Sequence, residues 1–121
     1  MAAPSGPPPS NFSTPMTKIE LSFSCRNLTN LDYGSKSDPM IIFYTKKRKN
    51  DPWREYDRTE TIMDNLNPDF VKKLEMDFYF EEILFMKFDV FDVDVGPDDY
   101  IGTVETTLAE IAYGSGLVGI F

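Results

Sequence analysis

The chain has 121 residues, 41% of them hydrophobic and 14% aromatic, with a formal net charge of −8. That is enough apolar material for one folded domain, and the acidic balance excludes a nucleic-acid binder, which needs a cationic face. Histidine is absent and cysteine occurs once, so His-based triads, His-ligated zinc and an internal disulfide are all ruled out.

Met1 to Pro15 is rich in Pro, Ser and Gly. It cannot bury enough apolar surface to offset its ordering entropy, and we read residues 1–16 as a tail. Lacking a basic start and an apolar core, it does not read as a signal peptide. Thr17 to Cys25 alternates, with Ile19, Leu21, Phe23 and Cys25 on one face, which predicts a half-buried strand. Arg26 to Asp38 is loop, dense in Asn, Asp, Gly and Ser. Met40 to Thr45 predicts a second strand. A basic run (Lys46, Lys47, Arg48, Lys49) and the turn Asn50–Asp51–Pro52 follow it. Trp53, beside that turn, reads as a packing residue. Trp53 to Met63 alternates weakly and predicts a third strand with one wet face. After the loop DNLNPD, Phe70 to Phe80 predicts a fourth strand, with Leu74, Met76, Phe78 and Phe80 on one side. Leu84 to Phe91 predicts the fifth and Ile101 to Thr107 the sixth. Leu108 to Tyr113 predicts one or two helical turns, and Gly116 to Phe121 the start of a seventh strand. Many short strands with turn signals between them indicate an all-β, antiparallel Greek-key β-sandwich.

Function concentrates at two strand tips. Asp92, Asp94, Asp98 and Asp99 place four carboxylates within eight residues, around the turn Gly96–Pro97. Asp32 and Asp38 sit in the loop after the first strand. In an antiparallel path the loops after strands one, three and five share one end, so the two acidic loops should meet. Converging carboxylates offer the six to eight oxygens that Ca²⁺ requires. A single Asp in such a loop is more often a turn residue bonded to its own backbone. Several at two converging tips point to metal.

The stretches LSFSC, LDYGSKSDP, DFYFEE and FDVFDVD…DDYIG resemble a C2 domain, and more closely the first C2 domain of the copines. The likeness runs from about Thr17 to Phe121. It implies a Ca²⁺-dependent phospholipid-binding module without catalytic activity, working in the cytoplasm and drawn to anionic membrane when Ca²⁺ rises. The alternative is a C2-like domain that binds protein without Ca²⁺. The resemblance makes Asp32, Asp38, Asp92, Asp94 and Asp99 ligands for two or three Ca²⁺ ions, with the backbone carbonyls of Tyr33 and Val93. It leaves Asp98 and Asp99 competing for one role. Tyr33, Val95 and Pro97 at the tips, with Lys72 and Lys73 behind them, are the expected lipid contacts. The run Lys46 to Lys49 is a weaker basic patch, expected at the opposite end. One strand before the first acidic loop suggests the circularly permuted C2 topology, which calls for an eighth strand beyond Phe121. We therefore expect a fragment of a longer protein.

Two other readings fail on residue type. An EF-hand loop counted from Asp94 would put Pro97 at its fourth position and Asp99 at its glycine position, between strands rather than helices. An aspartyl phosphatase built on Asp92 and Asp94 would need an α/β frame and downstream Lys and Asp residues that the remaining chain is too short to supply.

Overall fold

The structure is a computed structural model that describes residues 15–31, 34–94 and 96–114. It contains β1 (Met16–Leu21), β2 (Pro39–Lys46), β3 (Arg54–Arg58), β4 (Leu74–Tyr79), β5 (Phe85–Asp92), β6 (Asp99–Thr107) and α1 (Leu108–Tyr113). All strand pairs are antiparallel. β1 and β4 form one sheet, and the other has the order β3-β2-β5-β6. The all-β expectation is borne out. The expected seventh strand lies outside the described residues, as does most of the tail.

The core lies between the two sheets. β4 contributes Leu74, Met76 and Phe78, β2 contributes Ile41 and Phe43, and β5 contributes Met86, Phe88 and Val90. Leu108 of α1 closes one side. At the centre Phe43, fully buried, stacks on Phe23 with ring centroids 4.4 Å apart and meets the edge of Phe88 at 5.8 Å. Cys25 is buried in this core, where loss of solvation pushes its thiol up to about 11. It packs as a small apolar side chain. No helix among the described residues is long and apolar enough to cross a membrane.

The first, third and fourth strands are shorter than expected, the fourth starting at Leu74 rather than Phe70. The first strand stops at Leu21 rather than Cys25, because residues 71–73 leave the ladder. The N–H groups of Val71 and Lys72 donate to the Glu60 carboxylate instead. Pairing resumes past this excursion through an isolated bridge, Ser24 to Asp69. The third strand runs only to Arg58. At Thr59 a side chain takes over, its Oγ1 accepting from the Ile41 N–H at 2.9 Å. The fourth ends at Tyr79, so Phe80 turns out to solvent, 53% exposed, instead of joining Leu74, Met76 and Phe78.

The excursion serves the loops. Leu28 N–H donates to the Leu66 carbonyl and Cys25 N–H to that of Pro68, and the Asn67 side chain accepts from Asn27 N–H. Asn65 N–H donates to the Ser37 carbonyl. The loop before β2 is thus stitched along its length to the loop before β4.

Candidate metal centre

The site is a row of carboxylates at one end of the four-stranded sheet. Asp92 is the last residue of β5 and lies between Pro39 on β2 and Asp99 on β6. Asp38 immediately precedes β2. Its N–H donates to Asp92 Oδ1 at 2.9 Å, and its carbonyl accepts from Val93 N–H at 2.9 Å. The first acidic loop and the third are therefore joined, as the alternation of strand ends required. Asp32, Tyr33 and Val95 lie outside the described residues.

Asp92, Asp94 and Asp99 bring carboxylate oxygens within 4.8 Å of one another. Asp92 is wholly buried, and its Oδ2 is a buried polar atom without a hydrogen-bond partner. Carboxylates are rarely buried unpaired, because desolvation of the charge is not repaid. Asp94 shows the resulting strain. A hydrogen bond shared with Asp99, then lost solvation and the charges of Asp92, Asp99 and Asp38, push its carboxyl up to about 6.

Of the neighbours Asp98 and Asp99, the strand register sets Asp99 opposite Asp92. A bulge between Val90 and Phe91 shifts the β5–β6 pairing by one residue, from Val90 opposite Gly102 to Phe91 opposite Tyr100. Without it Asp92 would face Tyr100; with it Asp92 faces Asp99. A one-residue slip reverses which side chains share a face. Asp98 takes a turn role, its Oδ1 accepting from Asp94 N–H at 3.4 Å.

Asp64 is a residue that sequence reading did not single out. Its N–H donates to Asp38 Oδ1, and its own Oδ1 accepts from Lys36 N–H at 2.8 Å. It holds φ of 52°, a left-handed conformation in which Asp and Asn are enriched. It thereby pins Asp38 from the loop after β3.

The expected lipid-facing residues are divided. Pro97 is exposed at the turn beside the cluster. Lys72 pairs with Asp57 at 2.9 Å and Lys73 with Glu20 at 3.6 Å, both across exposed surface. The basic run starts at Lys46, opposite Phe85, whereas Pro39 at the other end of β2 is opposite Asp92. Seven residues of strand separate them, roughly 24 Å. The Lys46 ammonium lies 4.4 Å from the centroid of the half-buried Trp53 ring, a cation–π contact.

Comparison with known proteins finds the same fold. The C2 domain family matches residues 18–121. The chain belongs to the C2 domain family. Among curated proteins, Copine-A of Dictyostelium discoideum is 40% identical over 101 residues, covering 84% of this chain and 17% of that protein. Nicotinic receptor-associated protein 1 of Caenorhabditis elegans is 36% identical over 121 residues, covering 82% of this chain and 19% of its own. This C2 domain thus spans about a fifth of the relatives it matches, and the resemblance to copines read in the sequence is borne out. Among solved structures, the calcium-bound C2A and C2B domains of extended-synaptotagmin 2 superpose with a TM-score of 0.61 at 20% identity, over 82% of this chain and 36% of that one. At that identity the match speaks for the fold.

Acidification tests the crowding directly. A carboxyl whose folded pKa exceeds its unfolded value stabilises the fold below the unfolded value, and that contribution is lost as pH rises through the folded value. For Asp94 the window runs from about 4 to about 6. In a chelator, the wild-type domain should gain thermal stability relative to Asp94→Asn as pH falls from 7 to 4. With Ca²⁺ present the trend should reverse, because protons then compete with metal. Parallel pH profiles for the two proteins in chelator would contradict the strained cluster.

Proposed function

We propose that this C2 domain is a Ca²⁺-operated module that carries its parent protein to anionic phospholipid membrane, from a cytoplasmic resting state. The observation that carries the reading is the buried Asp92 carboxylate, one oxygen of which has no partner, facing Asp94 and Asp99. The donor set is all oxygen, which suits a hard cation. Asp38, Asp92, Asp94 and Asp99 would hold the metal, with Asp32 and the carbonyls of Tyr33 and Val93 completing the set for two or three ions. Bound Ca²⁺ supplies positive charge and coordination positions for lipid oxygens.

The chain's own residues account for the dependence on metal. Without it, the loop end is a dense negative field that repels anionic headgroups. Asp38 is held from two sides, by Asp92 and Asp64, so these hydrogen bonds position Asp38 and Asp92 without metal. Tyr33, Val95 and Pro97 would dip shallowly into the interface, where an aromatic ring is well accommodated. Lys72 and Lys73, already facing carboxylates, would add less.

Ca²⁺ titration by calorimetry, with vesicle co-sedimentation on the same sample, tests this. Ca²⁺ should bind the folded domain and drive it onto phosphatidylserine vesicles, and a chelator should release it. A folded sample that takes up no Ca²⁺ at millimolar concentration would overturn the reading and leave protein binding as the function.

A further inference from the structure

An apolar groove of about 330 Å³ opens at the end of the sandwich away from the carboxylates. Pro15, Thr17 and Ile19 line it from β1 and the residue before it, Phe78 and Phe80 from β4 and its exit, and Tyr113 from α1. The pairing fixes its place. α1 follows directly on Thr107, which is opposite Phe85, and Asp92 is seven residues farther along β5. Two rings at the groove are left to solvent. Phe80 is 53% exposed, and Tyr113, edge-on to Phe78 at 5.5 Å, is 73% exposed. Single scattered apolar side chains need no cover, but rings gathered in one concavity mark a place where something docks.

Residues 1–14 lie outside the described residues, and they join the domain at Pro15, in the groove's own lining. Phe12 is the one aromatic residue among them. It stands three residues before Pro15, a reach of up to about 10 Å, so its ring is tethered beside the groove. The other apolar stretch nearby, 116–121, is expected from its sequence to be a strand, and a strand needs ladder partners for its N–H and C=O groups. A groove lined by side chains offers few. The tail makes less demand of this kind, because Pro has no N–H and a polyproline II backbone stays solvated.

We propose that this groove is the docking site of the chain's own N-terminal tail, with the Phe12 ring seated against Phe80 and Tyr113. The inference is independent of the Ca²⁺-operated reading, since the two sites lie at opposite ends of the sandwich. Seating the ring removes apolar surface of Phe12, Phe80 and Tyr113 from water together, and the ordering of Ser13 and Thr14 offsets part of that gain.

Limited digestion of the full chain with chymotrypsin, which cuts after accessible aromatic residues, tests this. Cleavage after Phe12 should be about tenfold slower than in a free peptide of the same tail sequence. Phe80→Ser and Tyr113→Ser, each at an exposed position, should restore the peptide's rate. Tyr56→Ser, exposed on β3 in the other sheet, should leave the protection intact. In the wild-type chain, nuclear Overhauser contacts should join the Phe12 ring to Ile19 and Tyr113, a readout that depends on no variant folding. Those contacts should persist in Ca²⁺ and in chelator alike. Cleavage after Phe12 at the peptide's rate would overturn the proposal. Protection that survives both groove substitutions would place the tail elsewhere and overturn it too, as would contacts to the groove from 116–121 in place of Phe12. Protection lost on hundredfold dilution would assign the groove to the tail of a second copy and overturn docking within one chain.

Discussion

Asp92→Asn should raise the melting temperature of the metal-free domain while abolishing its response to Ca²⁺. The wild-type carboxylate is wholly buried, and one oxygen has no hydrogen-bond partner. Asparagine keeps the oxygen that accepts from Asp38 N–H, so the link between the two loops survives. It replaces the unpartnered oxygen by an amide donor facing Asp94 and Asp99, whose carboxylate oxygens lie within 4.8 Å. Relieving an unsatisfied buried group is worth about 1–3 kcal/mol, and each kcal/mol shifts the midpoint by about 4–8 °C in a domain of this size. With Ca²⁺ at a hundred times its dissociation constant, wild type should gain about 2.7 kcal/mol by mass action, and Asp92→Asn none. Paired thermal melts in chelator and in Ca²⁺ measure both effects. A variant that melts lower in chelator and still responds to Ca²⁺ would show that Asp92 is a structural residue rather than the centre of a metal site.

What could be read from the sequence was what depends on local alternation. Ile19 and Leu21, Leu74, Met76 and Phe78, and Met86, Phe88 and Val90 all turn inward as their period of two required. The meeting of the two acidic loops followed from strand alternation alone, and the Asp38–Asp92 hydrogen bond realises it. Pairings set by distant residues could not be read. The bulge that brings Asp99 rather than Asp98 opposite Asp92 leaves no mark in DVDVGPDDY. Asp64 sits in a loop whose composition announces a turn, and only its contact with Asp38 reveals a second task. The early end of the third strand arises because a Thr59 hydroxyl substitutes for a ladder carbonyl, a competition between side chain and backbone that residue type alone does not settle.

The second large effect is expected at Phe43, whose ring meets those of Phe23 and Phe88. Phe43→Ala should cost about 3–5 kcal/mol, the usual range for deleting a buried phenylalanine. The upper part of that range applies, because the ring holds two partners. Phe23, in the segment after β1, stacks on it at 4.4 Å, and Phe88 on β5 meets it at 5.8 Å. Phe23 also accepts, through its carbonyl, from Phe70 N–H beyond the 71–73 excursion. Removing the Phe43 ring therefore loosens the contact between the two sheets, not one strand alone. Against a total stability of about 5–15 kcal/mol, the midpoint should fall by on the order of 20 °C. Phe43 stands four residues along β2 from Pro39, roughly 14 Å from the carboxylate row. The folded fraction should therefore bind Ca²⁺ with near wild-type affinity, and a hundredfold excess should return about 2.7 kcal/mol of the loss. Urea melts with and without Ca²⁺ give both numbers. A loss below about 1 kcal/mol would mean that the aromatic trio is replaceable. A large loss that Ca²⁺ leaves untouched would mean that the carboxylate row needs the full packing beneath it to hold metal at all.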